Sequence, residues 1–547
     1  MKKIILSIVV LTILSNHLWA QERVKPKIVV GLVVDQMRWD YLYKFKDRYG
    51  SDGFKRLQSE GFSVENTYIN HTPSKTAVGH ATIFTGSVPA IHGITGNSWI
   101  ERYTGEKVYC VGDTSVRALG INNVKSGDDG DGGQMSPRNL LVNTVADELK
   151  LATNFRSKVV GVSLKDRAAI LPSGHSANAA FWYDDNSAKF ISSTYYMKEL
   201  PSWVNQFNQK NEPAKLMSQD WKTLYPIKTY TQSSADDVKW EGLFKGHAKP
   251  TFPYPLSEIY KVDKSAIRAT PFGNDLTLSF AKAAIEGYQL GEGADTDFLT
   301  VNLASTDYVG HKFGPNAIEI EDVYLRLDKT IASFLKYLDS KYGKGNYLIF
   351  LTADHGVAHS LEFLEENKMP NGQLLMSPLR KSLNEYLEKQ FKVKGLIEGT
   401  ANYGVYFKMD RVEGLDFSLV KQASIRFLEQ QAGVLFAIDV DQIGSSPVPE
   451  PLKTMVVNGN NRKRTGSILI VPNAGYLDAA KRSGSTHAVW NPYDTHIPLL
   501  FMGWGVKSGA TNRIYHQNDI AITLSNLLKI QAPNGNVGVP ILELLAK

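Results

Sequence analysis

The chain of 547 residues has a single cysteine, Cys110, so no intramolecular disulfide can form even in an oxidising compartment. Its stability must come from packing. At 43% hydrophobic residues the length is ample for a large core, in one domain with insertions or in two. Long apolar runs are scarce as well: beyond the N-terminus no segment is long and apolar enough to cross a bilayer. There is no basic run with interleaved aromatics, and 61 Lys and Arg against 55 Asp and Glu leave only a mild positive excess. A nucleic-acid polymer is therefore not the expected partner. No internal repeat and no low-complexity tract is found.

What is present begins with "MKKIILSIVVLTILSNHLWA". Lys2 and Lys3 precede an apolar run from Ile4 to Leu14, and Ala20 stands before a polar continuation. This is the pattern of a secretory signal peptide over residues 1–20, with Leu18 where a small residue is preferred. A protein exported to the periplasm, without a stable membrane anchor and monomeric, is expected.

Six short runs rich in Val, Ile and Leu read as strands buried on both faces: 27–35, 158–164, 297–307, 346–356, 467–473 and 497–503. Between them lie helical patterns. The clearest covers 317–342, where Ile320, Val323, Tyr324, Leu327, Ile331, Phe334, Leu335 and Leu338 recur at spacings of three and four; a second covers 274–287. The alternation predicts an α/β fold with a mostly parallel central sheet and helices on both faces. Two stretches, near 172–265 and 360–465, are rich in Tyr, Trp, Pro and Lys and break the rhythm. They read as insertions forming a cap on one catalytic domain over 21–547.

Ligands of open α/β sheets bind at the carboxyl ends of the strands. Here those ends carry Asp35, then Asp307 with His311, then the pair Asp354-His355, while His487 follows in a Gly/Ser-rich loop. Singly each has an ordinary explanation, such as a helix N-cap. Jointly, three Asp and three His on one rim form a ligand set for zinc or a similar divalent ion, too many for one tetrahedral site and a good number for two. Two adjacent metals can hold the attacking and leaving oxygens of a phosphoryl displacement. Such a site needs a nucleophile. In "HTPSKTAVGHATIFTG", residues 71–86, Thr76 starts a helical run, where free N–H groups favour an anion. Thr72 and Ser74 are placed to cap the helix, and Thr82 and Thr85 lie deeper in it.

The segments "VVDQMRWDYL", "TPSKTAVGHATIFTG", "IHGITGN", "LKDRAAILPSGHSANAAFWY", "TDYVGHKFGP", "LTADHG" and "STHAVWNPYDTHIP" resemble, in order, the exported bacterial alkaline phosphatases of the phosphate-irrepressible type, within the alkaline phosphatase superfamily. The resemblance implies a threonine nucleophile and two zinc ions as cofactors. One zinc would be held by Asp307, His311 and His487, the other by Asp35, Asp354, His355 and the Thr76 oxygen. It also implies that Asn97, Lys165 and Arg167 contact the phosphoryl oxygens of small phosphorylated metabolites. The magnesium site and substrate arginine of the serine-nucleophile enzymes have no counterpart, so no third metal is expected. Thr76 is followed by Ala77 and Val78 and lacks the C/S-x-P-x-R frame, which argues against a sulfatase.

Lys165 and Arg167 bear on the substrate class. A monoester has two charges and three free oxygens, and two cations just after a strand suit it; if the extended geometry persists both point to one side. The alternatives are a phosphodiesterase or nucleotide pyrophosphatase of the same superfamily, and an inert domain binding phosphorylated ligands. His80, His92, His175, His359 and His496 are expected to be structural or to orient ligands.

Overall fold

The computed structural model describes residues 25–121 and 133–545; the expected signal peptide lies outside the described residues. Its central sheet has eleven strands, in chain order β1 Ile28–Val34, β2 Phe62–Tyr68, β3 Ala118–Leu119, β4 Val159–Val162, β5 Ala179–Asp184, β6 Lys189–Ser193, β7 Asp297–Leu303, β8 Tyr347–Thr352, β9 His496–Ile497, β10 Leu499–Gly503 and β11 Gly509–His516. The order across the sheet is β9-β2-β10-β8-β1-β7-β4-β5-β6-β3, with β11 on the other side of β2. Five adjacent strands, β8-β1-β7-β4-β5, run parallel; the flanking pairs are antiparallel except β11 with β2, which is parallel. Every residue of β1, β4, β7 and β8 is buried, which is why these strands read as continuous apolar runs.

The register sets the rim. Val33 pairs with Thr352 and Val34 with Leu303, so the residues that follow β1, β7 and β8 emerge side by side. The helix expected over 317–342 is present as Ile318–Tyr342 and that over 274–287 as Phe272–Tyr288. All eight periodic side chains of the longer helix are buried, each worth about 1.5–3 kcal/mol.

Three runs behave differently from the sequence reading. The run at 467–473 forms Ile468–Pro472, a strand of a separate antiparallel four-stranded sheet with Ile397–Ala401, Gly404–Phe407 and Val434–Asp439. That sheet and the helices Met376–Phe391 and Phe417–Glu429 bury a hydrophobic core of their own. The run at 497–503 joins the central sheet antiparallel to β8. The run at 297–307 ends as a strand at Leu303, and Asp307 falls in the helix Ser305–Phe313. The stretch 172–265 supplies β5 and β6 to the sheet, and its Trp221, Trp240 and Tyr254 lie in the main core. Among the described residues no helix is long and apolar enough to cross a membrane.

Candidate active site

The helix Thr76–Thr85 is buried on all sides, so it runs through the interior. Gly79 allows this: a Cβ there would stand 2.3 Å from the Asp354 carbonyl oxygen. Lys75 takes the N-cap position without a side-chain cap, and neither Thr72 nor Ser74 caps the helix. The Ser74 hydroxyl donates instead to Val489 O at 2.9 Å and Asp494 Oδ2 at 3.2 Å. Thr82 contacts His71 and His92, and Thr85 donates to Ala81 O. Thr76 differs from these, because its Oγ1 lies 3.4 Å from His355 Nε2, among the rim residues. Asn97 Oδ1 accepts the Ala77 N–H at 3.0 Å, which fixes its amide and leaves the NH₂ end to donate.

Six of the predicted residues gather in two groups, Asp307 with His311 and His487, and Asp35 with Asp354 and His355. In each group one ligand atom per residue lies within 4.8 Å of the others. Asp307 and His311 share one helix face at i, i+4, with His311 Nε2 3.2 Å from Asp307 Oδ1. His355 Nε2 is 3.3 Å from Asp354 Oδ2 and 3.7 Å from Asp35 Oδ1. The His355 and His487 rings stack at 3.5 Å.

All three imidazoles are held in the same way. His311 Nδ1 faces Ser485 O at 2.8 Å, His487 Nδ1 faces Ser74 O at 2.6 Å, and His355 Nδ1 faces Gly356 O at 2.9 Å. A carbonyl can only accept, so each Nδ1 carries the proton and each Nε2 presents a lone pair to the site. Burial pushes His355 down to about 4 and holds His487 well below its ordinary range, which keeps both neutral. His311 is raised: burial lowers it, but the Asp307 carboxylate prevails. Asp35 Oδ1 and Asp354 Oδ2 are buried without a hydrogen bond. Burial, and then the Asp35 charge, drive Asp354 well above the usual carboxylate range. Unpartnered carboxylate oxygens beside lone-pair imidazoles are what a divalent cation would satisfy.

Lys165 and Arg167 do not extend a strand. β4 ends at Val162, Lys165 precedes the helix Asp166–Ser173, and Arg167 lies inside it. Lys165 Nζ stands between the two groups, 2.9 Å from Asp35 Oδ2 and 2.6 Å from Asp307 Oδ2. Arg167 Nη1 donates to Tyr109 OH at 3.2 Å, and Tyr109 donates to Asp166 Oδ1. Both cations still line one cavity of about 510 Å³, together with Tyr109, Trp182, Tyr308 and His311. His496 stays away from the metal groups, stacked between Trp39 and Tyr68 with Nε2 facing Glu65 O.

Sequence reasoning misses two residues that bind the groups together. Gln36, at φ 63°, donates its side-chain amide to Asp307 Oδ1 at 2.6 Å and its backbone N–H to Asp354 Oδ1 at 3.1 Å. Asp494 accepts the N–H groups of Ala488 and Val489 at 2.9 Å each, which holds the left-handed turn at Ala488, φ 101°, next to His487. The only sequence signal for Gln36 is its place directly after Asp35.

The family model described as type I phosphodiesterase / nucleotide pyrophosphatase matches residues 29–494. The alkaline phosphatase PafA of Elizabethkingia meningoseptica is 54% identical over 96% of this chain and 95% of its own length. The alkaline phosphatase PhoV of Synechococcus elongatus is 52% identical over 95% of this chain and 93% of its own. The crystal structure of wild-type PafA superimposes with a TM-score of 0.92, covering 95% of this chain and 99% of that one. The chain therefore belongs to the type I phosphodiesterase / nucleotide pyrophosphatase family, in the group of these alkaline phosphatases.

Proposed function

We propose that the protein is an exported alkaline phosphatase that hydrolyses small phosphate monoesters through a covalent phosphothreonine at Thr76. The observation that carries this reading is a buried hydroxyl at a helix start, 3.4 Å from His355 of one three-ligand group, whose ring stacks on His487 of the other. Asp307, His311 and His487 would hold one zinc ion, and Asp35, Asp354 and His355, with the Thr76 oxygen, the other. When bound, the two ions neutralise charge on the attacking and leaving oxygens.

The chain's own groups do the rest. Thr76 Oγ1 attacks phosphorus in line; the Oγ1–P bond forms, the bond to the leaving alcohol breaks, and the hydroxyl proton passes to solvent. Water then attacks phosphorus, the Oγ1–P bond breaks, and Thr76 is restored as inorganic phosphate leaves. The helix N-terminus favours the anion. The Asn97 amide and the Lys165 and Arg167 cations donate to nonbridging oxygens, Arg167 being oriented by Tyr109.

The family-level alternative is diester hydrolysis. Two buried cations lining the cavity favour a dianionic monoester, as do the names of the PafA and PhoV relatives. The zinc-loaded protein should cleave an aryl phosphate monoester far faster than the matching diester. It should lose that activity on exhaustive chelation and regain it with zinc. A diester rate equal to or above the monoester rate would overturn the assignment.

A further inference from the structure

Lys165 reaches its place from a short connection that one largely buried arginine holds from two sides. β4 ends at Val162 and the next helix starts at Asp166, so no strand or helix fixes the backbone at Lys165. The peptide unit before it is fixed at both edges instead. Its N–H, from Lys165, donates to Ser163 Oγ at 2.9 Å, and its carbonyl, from Leu164, accepts from Arg268 Nη1 at 2.8 Å. Because a peptide unit is planar, two such anchors set the direction in which the Lys165 side chain departs. The same arginine nitrogen, which carries two N–H groups, also donates to Tyr308 OH at 2.8 Å. The Tyr308 ring lies beside the lysine in turn, with Lys165 Nζ 5.1 Å from its centroid, within cation–π range.

We propose that Arg268 is a positioning residue that aims Lys165 at the phosphoryl group, an inference that rests on the reading of Lys165 as a phosphoryl contact. Arg268 lies in the short helical turn Lys264–Ala269, with its side chain 12% exposed. It is tied to the sheet independently of Lys165. Nη2 donates to Tyr183 O at 2.9 Å and Nε to Asp185 Oδ1 at 2.6 Å, at the end of β5 and just beyond it. The Asp185 carboxylate also balances its charge. Four of its five N–H groups thus meet protein acceptors, so it acts through its neighbours and not on substrate. The planar fork is what the position needs. A lysine ammonium is a single point and cannot face acceptors on β5, on the connection after β4 and on Tyr308 at once. Arg268 therefore carries the rigidity of β5 to both the backbone and the ring that flank the Lys165 ammonium.

The test measures kcat/KM of zinc-loaded Arg268→Ala, Lys165→Ala and the double variant on an aryl phosphate monoester and its matching diester, together with zinc content. A misplacement of about 1 Å can cost about 100-fold, so Arg268→Ala should lose about 10-fold or more on the monoester and far less on the diester while keeping its zinc. In the Lys165→Ala background, Arg268→Ala should cost nothing further. An unchanged monoester-to-diester ratio, or a loss that adds to that of Lys165→Ala, overturns the proposal, because support of the fold alone would give either result. If Lys165→Ala itself leaves the ratio unchanged, the reading of Lys165 falls and this inference with it. Should Arg268→Ala fail to fold, Tyr308→Phe decides, since it keeps the ring beside Lys165 and removes only the oxygen that Arg268 holds. It should lower the ratio about 2- to 10-fold, and an unmoved ratio overturns the proposal.

Discussion

Replacing Gly310 by alanine separates the stability of the fold from the order of the site. Position 310 lies inside the helix Ser305–Phe313, where alanine is favoured over glycine by about 1 kcal/mol. An added Cβ would stand 1.8 Å from Gln36 Oε1, and the three nearest atoms it meets all belong to the Gln36 side chain. Relief is therefore local: Gln36 swings away and abandons its 2.6 Å hydrogen bond to Asp307 Oδ1. A hydrogen bond to a charged group contributes about 1.5–3 kcal/mol. Loss of a contact that orients a metal ligand typically costs about 10- to 100-fold in affinity or activity. We expect Gly310→Ala to melt within about 2 °C of the parent but to bind zinc and turn over an aryl phosphate about 10- to 100-fold less well. Zinc affinity is measured by competition with a chelating indicator, and kcat/KM in saturating zinc. A double-mutant cycle supplies the control: in a Gln36→Ala background, Gly310→Ala should cost nothing further. The reasoning fails if Gly310→Ala leaves zinc affinity and kcat/KM unchanged, or if the two losses add.

Thr76→Ala should retain fold and zinc but form no phosphoenzyme on acid quench, while Thr76→Ser keeps substantial activity; a phosphorylated Thr76→Ala protein would place the nucleophile elsewhere. Removing Lys165 or Arg167 should cost about 10- to 100-fold in monoester kcat/KM and far less on a diester, so the double alanine variant should show a much smaller monoester-to-diester ratio. Equal losses on both substrates would mean that these cations support the site generally. His71 is fully buried, away from the metal groups, and burial holds it down to about 4. Its folded value lies below the ordinary 6.5, so the unfolded chain binds the extra proton and stability falls as pH drops from about 6.5 to 4, by up to about 3 kcal/mol. Denaturant melts across that window should show a shallower acid decline for His71→Gln, and an unchanged slope would remove His71 from the account.

Much of this architecture follows from local pattern. Continuous Val, Ile and Leu runs identify β1, β4, β7 and β8 because a strand buried on both faces tolerates no polar alternation. The three-four spacing across 317–342 defines one helix face for the same reason. Asp354 and His355 are adjacent, and Asp307 and His311 fall at i, i+4 of one helix, so each pair is close in sequence, although that helix appears only in the structure. Apolarity could not say which sheet a run enters: Ile468–Pro472 is as buried as β8 yet belongs to the smaller antiparallel sheet. Nor could it say where β7 stops: beyond Leu303 the chain is held by partners far along the sequence, Thr306 Oγ1 donating to Asp35 O and the Ser305 N–H to Asn274 Oδ1.

Residue types and spacings along the chain determined the ligand pairs and placed a hydroxyl at a helix start. Tertiary structure alone decided which nitrogen two of the three imidazoles offer, while His355 is turned by its neighbour Gly356. The acceptor for His487 Nδ1 is the Ser74 carbonyl, 413 positions away, and that for His311 is Ser485, 174 positions away. It also set Gln36 across both groups. Short-range spacing is governed by the few angles of one turn or strand, whereas these partners meet only once the sheet has chosen its order and the loops have closed over its carboxyl edge.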